Sequence, residues 1–148
     1  MKKRMLSLAL VIVTLVSTAF ANTAEGVNAA TVAAFKKDFS AAQDVRWATN
    51  KEFNKATFTL NHQVMFAYYS LNGDLIALSR NLTLNQIPIS LAAELKKAST
   101  DYWITDLFEM ASNDETTYYA TIQNSDQVIV LKSVGSNGWE QYKKTKKQ

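Results

Sequence analysis

The stretch ATFTLNHQVMFAYYSLNGDLIALS, residues 56–79, decides the fold, because it reads as three strands joined by two tight turns. Residues 56–60 alternate small or polar side chains with apolar ones, the two-residue period of a half-buried strand. Asn61-His62 interrupts the pattern, residues 64–69 resume it, Asn72-Gly73 interrupts again, and residues 75–78 complete a meander. Asn-Gly between apolar runs is a strong hairpin signal, since both residues tolerate positive φ.

A fainter copy follows at residues 118–142. A shift of 64 positions places Ala56-Thr57 on Ala120-Thr121, Gln63-Val64 on Gln127-Val128, Phe58 on Ile122 and Met65 on Ile129. Upstream, Asn28 can cap a helix over residues 29–39, with Val32, Phe35 and Phe39 on its apolar side and Lys36, Lys37 and Asp38 outside. Val45 and Trp47 share one face of a short strand before the meander. The only proline, Pro88, suits the first turn of a second helix. Leu91, Leu95 and Ala98 form that helix's buried stripe. Residues 103–110, 117–123, 127–133 and 139–142 are strand candidates, separated by Asn113-Asp114, Asn124-Ser125 and Asn137-Gly138. The pattern predicts an α+β fold of two helix-plus-four-strand half-repeats, with the helices on one face of an antiparallel sheet.

The chain opens on Lys2-Lys3-Arg4, stays uncharged through residues 5–20, and reaches the small-x-small site Ala19-Phe20-Ala21. These are the three parts of a secretory signal peptide, too short for a membrane span, with cleavage expected after Ala21. The expected organisation is therefore a signal peptide at 1–21, a flexible lead at 22–28, one domain at 29–142 and a basic tail at 143–148. The mature protein would be periplasmic or secreted. Removal of 21 of the 148 residues leaves 127, enough for one domain with a real core. Three of the 16 basic residues fall in the signal and none of the 13 acidic ones does, so the mature charge balances at zero. The pI of about 9.1 belongs to the precursor and argues for no nucleic-acid partner. The lysines at 143, 144, 146 and 147 read as a solvated terminus. With no cysteine, the chain has neither disulfides nor a cysteine-linked lipid anchor.

No catalytic constellation accompanies this pattern. His62 is the single histidine and falls in a turn, and no carboxylates are spaced like a calcium loop. Asp101, Asp106, Glu109, Asp114 and Glu115 read as solvated charges, and Ser70 and Ser90 have no evident base. Only four glycines occur, and none forms a phosphate-cradling loop. The expectation is a protein without enzymatic activity, metal or cofactor.

The residues Phe35, Phe39, Val45, Trp47, Ala56, Phe58, Tyr69 and Asn72-Gly73 carry a further observation. With Ile87-Pro88, Leu91, Leu95, Ile104, Tyr118-Tyr119 and Asn137-Gly138, they resemble the bacterial secreted family described as β-lactamase-inhibitor-like or PepSY-like. The resemblance covers about residues 29–142. It implies a curved antiparallel sheet with helices on one face, the other face open, and no established reaction. Some relatives with this architecture grip another protein with the open face. Ser70 stands where the family often has an acidic residue before its first glycine turn, and Asn61-His62 where its first hairpin often has Asn-Gly.

A two-residue turn at Asn61-His62 pairs Leu60 with Gln63 and Phe58 with Met65, turning Phe58, Leu60, Met65, Ala67 and Tyr69 toward the helices. A three-residue turn would put Val64, Phe66 and Tyr68 in the core instead. The family pattern, apolar at the positions of Met65, Ala67 and Tyr69, favours the first. The same phase in the second half buries Tyr118, Ala120, Ile122, Ile129 and Leu131. The candidate binding face is then Val64, Phe66, Tyr68, Tyr119, Val128 and Val130, with Trp139 at its edge. Apolar side chains on an open sheet face mark an interaction site. The expected function is a non-catalytic exported protein-binding module, an inhibitor or regulator of an extracytoplasmic enzyme. The alternative is a structural or envelope-associated protein that self-associates through the same face.

Overall fold

The computed structural model describes residues 25–148, so the expected signal peptide lies outside the described residues. The elements in order are α1 (Ala29–Asp38), β1 (Gln43–Thr49), β2 (Asn54–Leu60), β3 (Gln63–Tyr69) and β4 (Leu75–Asn81). A 3-10 turn at Leu84–Gln86 leads to α2 (Ile89–Ala98), β5 (Trp103–Ser112), β6 (Glu115–Gln123), β7 (Gln127–Val134) and β8 (Glu140–Lys146). All eight strands form one sheet in sequence order, each antiparallel to the next.

That continuity corrects the expected fold class. The described residues form predominantly one eight-stranded antiparallel sheet carrying two ten-residue helices, not a pair of helix-plus-four-strand half-repeats. β4 and β5 pair directly, from Leu78 opposite Ala111 to Asn81 opposite Phe108. The Leu82 N–H donates to the Leu107 carbonyl, and Arg80 meets Glu109 across the same ladder. Backbone donors and acceptors left along two half-sheet edges would need other partners. Pairing β4 with β5 satisfies them, and a recurring element order says nothing about where such a seam closes.

The first hairpin is a two-residue turn: Leu60 faces Gln63, Phe58 faces Met65, and Asn61 and His62 both take positive φ, 50° and 64°. Asn113 and Asp114 do the same between β5 and β6, at 51° and 63°. These are the primed turns whose twist matches that of paired strands. The Asn72-Gly73 loop differs from the tight turn expected there. Ser70 N–H donates to Asp74 O and Gly73 N–H to Ser70 O, enclosing three residues with φ +98° at Gly73. The cause is tertiary, because this loop docks on the start of α1. Asn28 caps the helix through Oδ1, accepting from Thr31 N–H at 2.7 Å, and donates from Nδ2 to Leu71 O. A Cβ on Gly73 would stand 3.2 Å from Thr31 N and 3.3 Å from its Oγ1.

On α1 the buried line is Thr31 and Phe35, one helical turn apart, with Val32 and Phe39 half-buried beside it. The expected stripe had Val32 in the place that Thr31 takes. α2 begins after Pro88, whose carbonyl accepts from Ala92 N–H, and buries Leu91 and Leu95 with Ala98 half-buried, as its spacing predicts. Two clusters result. Phe35, Ala56, Phe58, Ala67 and Tyr69 lie under α1. Leu82, Ile87, Leu91, Leu95, Leu107, Ala120, Ile122 and Ile129 lie under α2. At the far end β8 continues past Tyr142, so Lys143, Lys144 and Lys146, expected in a tail, stand on an exposed edge strand. Lysines along an edge discourage pairing with another sheet.

Candidate interaction face

Paired residues of neighbouring strands point to the same side of a sheet, so the register assigns every face. One row runs Phe58, Met65, Arg80, Glu109, Tyr118 and Ser133, and both helices pack on that side. The complementary row runs Thr57, Phe66, Ser79, Met110, Thr117 and Val134. Among the described residues, no helix covers that second side. Its middle is nonetheless out of water: Ala77 is 7% exposed and Ser79 5%. Both stand on β4 opposite larger side chains, Ala77 facing Tyr68, and Ser79 facing Phe66 and Met110.

Of the residues expected here, Val64, Phe66 and Tyr68 lie together on β3, with Val64 49% exposed and the two rings half-buried. Phe53 packs edge-on against Tyr68, ring centroids 5.5 Å apart. Tyr119 stacks on Phe108 at 5.0 Å and 16°, while Val128 and Val130 stand opposite Gln123 and Thr121 on the same side. The face therefore has an aromatic patch at each end, joined through Ser79 and Met110. Trp139 does not belong to it. Its indole Nε1 donates to the Leu91 carbonyl at 3.0 Å and its backbone N–H to Glu94 Oε2 at 3.3 Å, so it lies against α2. An indole needs a partner for its N–H when packed, and the Leu91 carbonyl in the first turn of α2 accepts it. Tyr142 takes the edge position instead, 65% exposed, edge-on to Tyr119 at 5.9 Å.

Sequence reading missed Phe53, Phe108, Met110 and Tyr142. Phe108 and Met110 were within reach, because alternation from the buried Leu107 assigns them to the open side. Tyr142 was not, since its direction depends on a ladder irregularity opposite Val130 and Leu131. Burial raises the pKa of the Tyr68 phenol. Tyr69, on the helix side, is raised further by burial, by the charge of Asp38, and by its hydrogen bond to that carboxylate at 3.3 Å.

The groups weighed for chemistry have structural partners or stand apart. His62 occupies an exposed hairpin tip. Glu109 pairs with Arg80 Nε at 2.6 Å, and Asp114 sits in the second primed turn. Ser70 Oγ accepts from the backbone N–H groups of Asn72 and Asp74. No group of three His, Cys, Asp or Glu side chains that could hold a metal occurs among the described residues. A shallow cavity of about 240 Å³ lies between Leu82, Leu84, Ile104 and Leu107, away from Phe66 and Tyr68. Among the described residues no helix is long and apolar enough to cross a membrane.

Comparison of the sequence with protein-family models and with curated proteins gives no match. Solved structures do match. An inferred periplasmic protein from Bacteroides eggerthii superposes with a TM-score of 0.70 at 11% identity, over 81% of this chain and 88% of its own. A DUF2874 family protein from Bacteroides ovatus gives 0.69 at 13% identity, over 80% and 86%. A BLIP-like protein from Bacteroides fragilis gives 0.68 at 14% identity, over 80% and 85%. At these identities the likeness concerns the fold, and in its fold this chain is similar to BLIP-like and DUF2874 proteins.

Proposed function

We propose that this is a non-catalytic, exported binding module that engages another protein through the open face of its sheet. One observation carries the reading. The face without helices presents Val64, Phe66, Tyr68, Tyr119, Val128 and Val130 where a solvated sheet would present charges. Tyrosine and phenylalanine at such positions bring large contact area with few rotamers to restrain. The N-terminal sequence supports export, and the fold likeness to an inferred periplasmic protein and a BLIP-like protein agrees with it. Within that reading, the finer role is inhibition or regulation of an extracytoplasmic enzyme.

The test is capture from envelope and culture fractions on immobilised protein, beside a Phe66→Ser/Tyr68→Ser variant shown to be folded. The captured protein is then purified and its affinity measured for both forms. Loss of about two orders of magnitude in the variant is expected for two central aromatic contacts. Equal affinity would place binding elsewhere. If the protein retains only itself, and concentration-dependent dimerisation disappears in the variant, the face serves self-association.

A further inference from the structure

Lys55 is the one charged side chain at the paired positions that β2, β3 and β4 present on the open face; the others are threonine, valine, alanine, serine or aromatic. The residue is half-buried. Its Nζ stands 4.5 Å from the centroid of the Phe66 ring and 5.7 Å from that of Tyr68. Lys55 is also directly opposite Tyr68 in the ladder, and Phe53 supports that ring from its edge. The four-carbon stem thus runs along apolar surface and the ammonium is already placed. Among the described residues, the one ion pair joins Arg80 to Glu109 on the helix side. Arg46, opposite Thr57 on β1, adds a second cation beside Lys55 on the open side. Toward the other end the signs alternate, with Glu140 opposite Lys132 and Asp106 opposite Thr121. The open face is therefore cationic and aromatic over β1–β4 and mixed over β5–β8.

We infer that the β1–β4 end of this face receives an acidic segment of the partner protein, with one carboxylate seated on Lys55 Nζ and an adjoining apolar side chain against Phe66 and Tyr68. The inference rests on the reading of the open face as a protein-binding surface. A carboxylate gains more from an ammonium whose surroundings are already partly apolar than from a fully hydrated one. A basic segment would meet Lys55 and Arg46 as like charges. A nucleic-acid backbone would need a track of cations, and its phosphates would leave the ring faces unused.

Random dodecapeptides displayed on phage are selected on the purified protein, with counter-selection on the folded Phe66→Ser/Tyr68→Ser variant. Enriched peptides are synthesised and titrated calorimetrically against wild type, Lys55→Met and Lys55→Arg, each checked for folding by circular dichroism. The expected sequences carry Asp or Glu beside a large apolar residue. Lys55→Met should weaken them about tenfold and Lys55→Arg only a few-fold. Replacing the peptide carboxylate by its amide should cost wild type about tenfold and the Lys55→Met variant nothing further, the signature of a coupled pair. Face-dependent peptides without a carboxylate, or affinities indifferent to Lys55→Met, overturn the inference and leave the binding-face reading standing. Peptides that bind wild type and the double-serine variant alike, or the absence of any selectable peptide, overturn both.

Discussion

The two clusters on the helix side cover the same face of one sheet with different materials. Under α1, Phe35 sits within 5.0–5.3 Å of Phe58, Phe39 and Trp47, and the Phe39 and Phe58 centroids are 4.8 Å apart. Under α2 the buried side chains are Leu, Ile and Ala, and Trp139 closes the rim through its hydrogen bond to the helix. Aromatic rings meet at preferred angles and leave few alternative packings, whereas Leu and Ile exchange shape at low cost. The aromatic region is also where Phe66, Tyr68 and Lys55 stand on the opposite side of the same strands. The difference teaches that the rigid end of the core underlies the end of the open face with the most defined side-chain geometry.

The hardest blow to that contrast is Phe58→Ala. Removal of a fully buried ring packed against Phe35 and Phe39 should cost about 4 kcal/mol, against about 3 kcal/mol for Leu95→Ala. Conservative changes sharpen it. Phe58→Leu should cost about 2 kcal/mol through lost ring pairs, and Leu95→Met less than about 1.5 kcal/mol. Denaturant midpoints at unchanged slope measure all four, and equal costs for the two conservative changes would erase the distinction.

A smaller effect is expected at two positive-φ glycines, one in the loop that docks on α1 and one in the β7–β8 loop, clear of other atoms. Gly73→Ala forces a side chain to φ +98° beside Thr31 and should cost about 2 kcal/mol. Gly135→Ala, at φ +58° with nothing within 4 Å, should cost about 1 kcal/mol. Thermal midpoints that fall in the opposite order would show that the β3–β4 loop is not held by α1.

The paired hairpins respond in the other direction. His62→Gly and Asp114→Gly each place glycine at the second position of a primed turn and should stabilise by about 0.5 kcal/mol. A loss at either site would mean that the side chain has a role beyond the turn.

The smallest effect at neutral pH belongs to Tyr69→Phe, which removes a hydrogen bond of 3.3 Å to Asp38. Its signature is alkaline. The folded phenol holds its proton above the ordinary tyrosine value of about 10, so the stabilisation it contributes is complete below that pH and declines as pH rises beyond it. Tyr68 shifts in the same sense. Wild type should lose stability more steeply than Tyr69→Phe between neutrality and strongly alkaline pH, read from urea midpoints. Parallel profiles would remove Tyr69 as the source.

Much of this architecture was legible, for local reasons. Period-two alternation assigns Phe58, Met65, Ala67 and Tyr69 to one side. Asn61-His62 must be short for Phe58 to face Met65, and it is. The buried pair Leu91 and Leu95 follows from i, i+4 spacing after Pro88. The candidate face was legible where alternation runs unbroken, through Phe66, Tyr68 and Tyr119. It failed at Trp139, whose orientation is decided by a carbonyl on a helix far away in the chain.

The short-range choices of period, turn residues and caps follow from the sequence alone. Each depends on neighbours within a few positions, where backbone sterics and side-chain spacing suffice. What only the tertiary structure decided is the joining of β4 to β5 into a single sheet, the docking of the Gly73 loop on α1, the turning of Trp139 onto α2, and the placing of Lys55 over Phe66. Those depend on which partners remain for edges, N–H groups and ring faces once the strands have paired, and linear spacing does not carry that information.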